Sequence, residues 1–172
     1  LAFIVGGGET SRFSPRLLAD DELVSSVGAF AYTPPDPGLF VVTAALEAKD
    51  IDKAYAATIE EIAKVRDKGV DAEELARART NLESDFIYRN ETMQGQAREL
   101  GYSLLVYGDP NWDRIYLEAL REATAADLQR VAQQYLTRDN LTVVSLLPKD
   151  SKSELTRAET LKLANESAAS LK

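Results

Sequence analysis

The stretch Gly69-Val70-Asp71-Ala72-Glu73-Glu74-Leu75 limits what the chain can fold into more than any other. Glycine is the residue that most often closes a helix in a left-handed C′ conformation, which suits Gly69. Asp71 with Glu74 three positions later is a capping-box start, and Val70 and Leu75 stand where a hydrophobic staple would form. One helix therefore ends and another begins within a few residues. The first is expected from a cap at Asp50, with an apolar stripe at Ile51, Tyr55, Ile59, Ile62 and Val65. The second carries Leu75, Ala78, Leu82, Phe86 and Arg89 along one line and continues toward Met93. Gly95 and Gly101 weaken that pattern and mark a kink or break.

Before this pair the period changes. Leu23 to Thr33 reads as a strand, with Val24, Ser26 and Gly28 on one face and Ser25, Val27 and Ala29 on the other. Small residues on both faces predict that a helix or a ligand packs closely there. Pro34-Pro35-Asp36-Pro37-Gly38 is a rigid turn, and Leu39 to Leu46 is the returning strand. After the helix pair, Tyr102 to Tyr107 is apolar and ends at Gly108. Asp109-Pro110 predicts a cap and an N1 proline for a helix whose inward face is Trp112, Ile115, Tyr116, Ala119 and Leu120. Thr124 and Asp127 repeat the capping pattern ahead of Leu128, Val131, Tyr135 and Leu136, and Leu141 to Leu147 reads as a last strand stopped by Pro148.

The expected fold is α+β, a mostly antiparallel sheet with helices packed on one face. Residues 1–148 form the domain. Residues 149–172, with a sparse apolar line at Leu155, Leu161, Leu163 and Leu171, read as a linker or docking helix.

At the amino end, Gly6-Gly7-Gly8 follows the apolar run Leu1 to Val5, read as the tail of a buried element that begins upstream in a longer polypeptide. Thr10 or Ser11 can cap the helix that follows, Ser11 to Ala19, where Phe13, Leu17 and Leu18 recur at helical spacing. The loop lacks the Lys-Ser/Thr ending of a P-loop and the ribose-binding acid of a dinucleotide fold. It reads as a structural turn or a peptide-contacting loop.

Composition removes whole classes of chemistry. The 172 residues include no cysteine and no histidine, so thiolate sites, disulfides, imidazole acid–base chemistry and nearly every zinc pattern are excluded within this segment. A net charge of −8 argues against nucleic acid and anionic membrane surfaces. No apolar run is long enough to span a bilayer. Glu60/Glu61 and Glu73/Glu74 read as solvated helix faces, and Tyr88, Tyr102, Tyr107 and Tyr116 as core or interface packing. Arg77, Arg79 and Arg89 read as partners of nearby acids on the same helix. No catalytic and no metal-binding residue is expected.

In order and nearly without gaps, several segments resemble the second, inactive domain of the pitrilysin/insulinase zinc metallopeptidases. They are Gly6 through Phe13, Asp36-Pro37-Gly38-Leu39-Phe40, Glu73-Glu74-Leu75-Ala76-Arg77-Ala78-Arg79, Thr124-Ala125-Ala126-Asp127-Leu128, and Tyr135-Leu136-Thr137 followed by Leu141-Thr142-Val143-Val144. The resemblance implies the fold of the mitochondrial-processing peptidases, with an opening strand and helix expected to precede Leu1. It also implies a clam-shell whose halves close over a peptide. Zinc would sit on an inverted His-x-x-Glu-His helix in a companion domain of the same chain or of a second subunit, and a dimer fits the same scheme. Gly6, Gly7, Gly8 and Ser11 are the positions implied to touch substrate. Where domains that complete such an active site carry an arginine and a tyrosine, this chain has Leu18 and Ser25. The domain is therefore expected in the zinc-carrying half, inactive by itself, with the other half supplying both groups. The alternative is a structural or assembly subunit of the same fold, like the core proteins of the respiratory cytochrome complex. A bacterial source would incline the compartment toward the periplasm.

Overall fold

In a computed structural model of the chain, residues 1–34 and 36–149 are described, together with Ala158, Glu159, Lys162, Asn165 and Glu166. Leu155, Leu161, Leu163 and Leu171, the apolar line of the proposed docking helix, lie outside the described residues. The chain opens with a short helix, α1 (Ala2–Gly6), and a π-helical segment, Ser14–Asp20. Strands β1 (Ser26–Tyr32) and β2 (Leu39–Ala45) follow, then helices α2 (Ile51–Lys68), α3 (Ala72–Arg89), α4 (Met93–Tyr102), α5 (Trp112–Glu122) and α6 (Ala125–Tyr135).

The α+β expectation holds, but the balance differs from a mostly antiparallel sheet. Among the described residues the sheet is one antiparallel hairpin, running in register from Ser26 opposite Ala45 to Tyr32 opposite Leu39, and helices make up most of the rest. Residues 141–147 are apolar and β-branched like a strand yet pair with nothing described, and they leave Val144 88% and Leu146 99% exposed. A β-strand needs a partner for its N–H and C=O groups, so pattern alone does not make one.

Helices do pack on one face of the hairpin. Val27 and Ala29 of β1 and Phe40 and Val42 of β2 lie against the core, whereas Phe30, Tyr32 and Leu39 on the opposite face are exposed. The core itself is small and central. Val5, Phe13, Leu17 and Val65 are fully buried, joined by Ile4, Val24, Val70 and the alanines Ala54, Ala57, Ala78 and Ala132.

Local signals set the helix ends. The Asp71–Glu74 capping box is complete, with Glu74 N–H on Asp71 Oδ1 at 2.8 Å and Asp71 N–H on Glu74 Oε2 at 2.9 Å. Thr124 and Asp127 form the second box, and Gly69 closes α2 at φ 75°. Two expected caps are absent. Asp50 follows a short 3₁₀ turn and makes no side-chain cap bond. Asp109 instead accepts the Asn111 N–H at 2.8 Å, so α5 starts at Trp112.

On α2 the deepest stripe is Ala54, Ala57, Glu61 and Val65, while Ile51, Tyr55, Ile59 and Ile62 are half-buried. Alanine lets α6 approach closely. Ala132 is fully buried, and Gln129 and Gln133 of α6 donate to the Asp67 and Arg66 carbonyls at 3.0 and 3.1 Å. The inward face expected of α5 is not buried: Ile115 and Tyr116 are exposed, although the helix is held to α3 by Arg121 Nε on Glu83 Oε1 at 2.8 Å.

α4 and the π-helical turn after it, Ser103–Tyr107, also expose Met93, Leu100, Leu104 and Leu105, the last at 87%. Such side chains lose little on substitution within this chain, because they are already in water. Leu105→Gln and Met93→Gln should each move the urea-unfolding free energy by less than about 0.5 kcal/mol.

Candidate functional site

The glycine turn is held from both sides. α1 lies against β1, and Gly6 is the point of closest approach, buried beside the backbone of Gly28 and Ala29. This is the close packing that the small residues of β1 predicted. Gly7 bonds back to the Phe3 carbonyl at 2.8 Å and ends α1. Gly8 turns the chain at φ 89°, a conformation natural to glycine. Its carbonyl accepts the Ser11 N–H at 3.2 Å and Ser14 Oγ at 2.9 Å.

Of the four positions implied to touch substrate, Gly8 is exposed, Gly7 is half-buried, and Gly6 and Ser11 are buried. Ser11 is 3% exposed, with its Oγ 3.3 Å from Ser14 Oγ. The expected helix over Ser11 to Ala19 is the π-helical segment Ser14–Asp20, with Pro15 at its first turn. The crevice beside the turn, lined by Phe3, Gly7, Thr10, Ser11, Glu74 and Arg77, has room for about one water molecule. A cofactor does not fit there.

Arg12 is the residue that sequence reasoning missed. Its Nε and Nη2 donate to Glu74 Oε1 and Oε2 at 2.7 and 2.8 Å, and Nη2 also reaches the Gly69 carbonyl at 3.1 Å. Glu74 is therefore not on a solvated face. A bidentate arginine–carboxylate pair is the strong form of this interaction. It joins residues 62 positions apart, so no local periodicity could reveal it. The guanidinium hydrogen bond holds the Glu74 carboxyl below its usual range, and the Asp71 N–H adds to this against the opposing effect of burial.

That depressed carboxyl fixes the sign of a pH dependence. Its contribution is complete above the ordinary glutamate range, about 4.3, and is lost as pH falls through the lower folded value. Urea midpoints measured down from pH 7 should show the native chain losing its advantage over Glu74→Gln in acid. At neutral pH that advantage should be about 1–2 kcal/mol, a charge-assisted bond partly screened by solvent.

The remaining carboxylates, arginines and tyrosines divide. Glu61 is 7% exposed and paired with Lys64 at 2.5 Å rather than solvated. Arg77 pairs with Glu73 as expected, but Arg79 crosses to the Ala123 carbonyl after α5. Tyr88, Tyr102 and Tyr116 are exposed. Tyr107 stacks on Trp112 at 4.3 Å and donates to the Thr33 carbonyl at 3.2 Å, tying the end of β1 to the helices.

Leu18 packs against the core. Ser25 is exposed, with its N–H and Oγ both on the Ala45 carbonyl at 2.7 and 3.0 Å. Between them Glu22 takes φ 49°, the one non-glycine residue with positive φ among those described. The residues present do not fit a zinc ion, since there is no histidine or cysteine and no metal-binding group of acids among the described residues. No described helix is long and apolar enough to cross a membrane.

Residues 1–82 match the family description Peptidase M16 inactive domain. The alpha subunit of the mitochondrial-processing peptidase of Caenorhabditis elegans is 29% identical over 138 residues, covering 78% of this chain and 27% of that protein. An uncharacterized zinc protease of Rickettsia felis is 28% identical over 134 residues, 78% of this chain and 32% of that protein. The chain thus spans less than a third of the length of these curated relatives. The crystal structure of an inactive peptidase domain from Bordetella parapertussis superposes with a TM-score of 0.77 at 25% identity, over 88% of this chain and 82% of that one.

Proposed function

We propose that this chain, whose residues 1–82 match the M16 inactive domain, is a domain of that inactive type and forms part of the wall of a closed, peptide-binding chamber. The observation that carries this reading is the two-sidedness of the hairpin. One face is covered by the core, and the other presents Phe30, Tyr32 and Leu39. An uncovered apolar sheet face suits extended peptide, whose side chains alternate and whose backbone can add to a strand edge. Gly7 and Gly8 lie toward peptide in this reading, while Gly6 and Ser11 hold the turn from within. Zinc belongs to a companion domain of the same protein or of a second subunit. The apolar side chains of α4 and the turn after it support contact with such a companion.

The chain alone is expected to cleave no peptide and to hold no stoichiometric zinc, whereas the complete protein cleaves peptide and carries one zinc in the companion domain. Metal analysis finding one zinc per copy of the isolated chain would overturn the assignment. Leu18 and Ser25 favour a division of labour, because neither can place a positive charge at a transition-state oxyanion. Removing the partner that brings the arginine and tyrosine should therefore abolish cleavage while leaving zinc bound. The second reading, an assembly subunit without hydrolysis, predicts no cleavage by any combination of parts.

A further inference from the structure

A turn built on three glycines is costly to order, since glycine loses the most backbone freedom on folding. The packing of Gly6 on β1 fixes only one end of it. At the other end Arg12 brings three pieces of chain onto one guanidinium: the turn, the C-terminal cap of α2 through the Gly69 carbonyl, and the first turn of α3 through Glu74. The arginine backbone is part of the same arrangement, with Arg12 N–H on the Ile4 carbonyl at 3.0 Å. Arg12 and Glu74 side chains are only 20% and 14% exposed, so water competes weakly for the pair. Glu74 serves two tasks, because the oxygen that accepts from Arg12 Nη2 also closes the capping box.

We infer that Arg12 and Glu74 are positioning residues: a latch through which the α2–α3 junction fixes the Gly7–Thr10 turn in one conformation before any peptide arrives. The latch follows from the bonds above. Only its use, presenting a preorganised turn to peptide at a reduced ordering cost, rests on the function proposed in the preceding subsection.

Glu74→Gln separates the latch from helix capping, since glutamine at this position still completes a capping box. Arg12→Lys removes the bidentate geometry and keeps the charge. In the full chain, hydrogen exchange at the amides of Gly7 to Ser11 should quicken by roughly tenfold in either variant. The double variant should be no faster than the worse single, and the first turn of α3 should stay protected in Glu74→Gln. Unchanged exchange in the turn, or additive effects in the double variant, would overturn the latch. A parallel measurement on the complete protein uses a fluorescently labelled, unstructured peptide of mixed sequence. Faster exchange with weaker peptide binding supports both readings. Faster exchange with unaltered binding leaves the latch standing and counts against the turn as a peptide contact.

Discussion

Gly6→Ala is expected to destabilise the chain by about 3 kcal/mol, seen as a lowered urea midpoint with an unchanged slope. A Cβ at Gly6 would lie 2.7 Å from Ala29 Cβ and 2.8 Å from the Gly28 carbonyl carbon, and closer still to the Ala29 amide nitrogen. Two of these obstacles are backbone, so no side-chain rotation relieves them. α1 would have to lift from β1 and carry Val5 with it, and Val5 is fully buried. Gly101→Ala is the contrast: nothing lies within 4 Å of the new methyl group inside α4. That substitution should stabilise by about 0.5–1 kcal/mol, because it gains helix propensity and costs no contact.

Phe13→Ala should cost about 3–5 kcal/mol, the range for emptying a buried aromatic site. Phe13 is 0% exposed and leads the largest fully buried side chains, among them Leu17, Val5 and Val65. It shares one core cluster with Val5, Leu17, Val24, Val65 and Ala78, which come from several elements. The backbone on its amino side is pinned by the Arg12–Glu74 pair. Phe30→Ala tests the same residue type on the open face of the hairpin, where it is already half exposed. A loss there of under about 1 kcal/mol is expected. A loss as large as that of Phe13 would mean that the face is covered in solution.

The two substitutions mark where sequence reasoning succeeds. The small residues of β1 were legible as a close approach, since only small side chains leave room for one backbone beside another, although not that Gly6 makes it. The Asp71–Glu74 and Thr124–Asp127 boxes were legible too, because both partners of each bond lie within one helical turn. So were the hairpin and its proline-rich turn. Phe13 was placed on an apolar helical face, but nothing local distinguished it from Leu18.

Failures occurred wherever an assignment needed a partner far along the chain. Residues 141–147 have the composition of a strand and pair with nothing described. The stripe of α5 has the right period, and Ile115 and Tyr116 are nevertheless exposed. Glu61 carries no local mark of its burial, and Glu74 was legible as the cap of α3 but not as the partner of Arg12.

By itself, then, the sequence determined the residue chemistry this segment lacks, most of the order of its elements, the two capping boxes and the resemblance to an inactive peptidase domain. Those properties depend on residue identity and on contacts within a few positions. Only the tertiary structure decided which amphipathic faces are covered, that one face of the hairpin stays open, and that Arg12 meets Glu74 beside the glycine turn. Burial and ion pairing are set by what stands opposite, and at a separation of 62 residues the fold alone brings the two sides together.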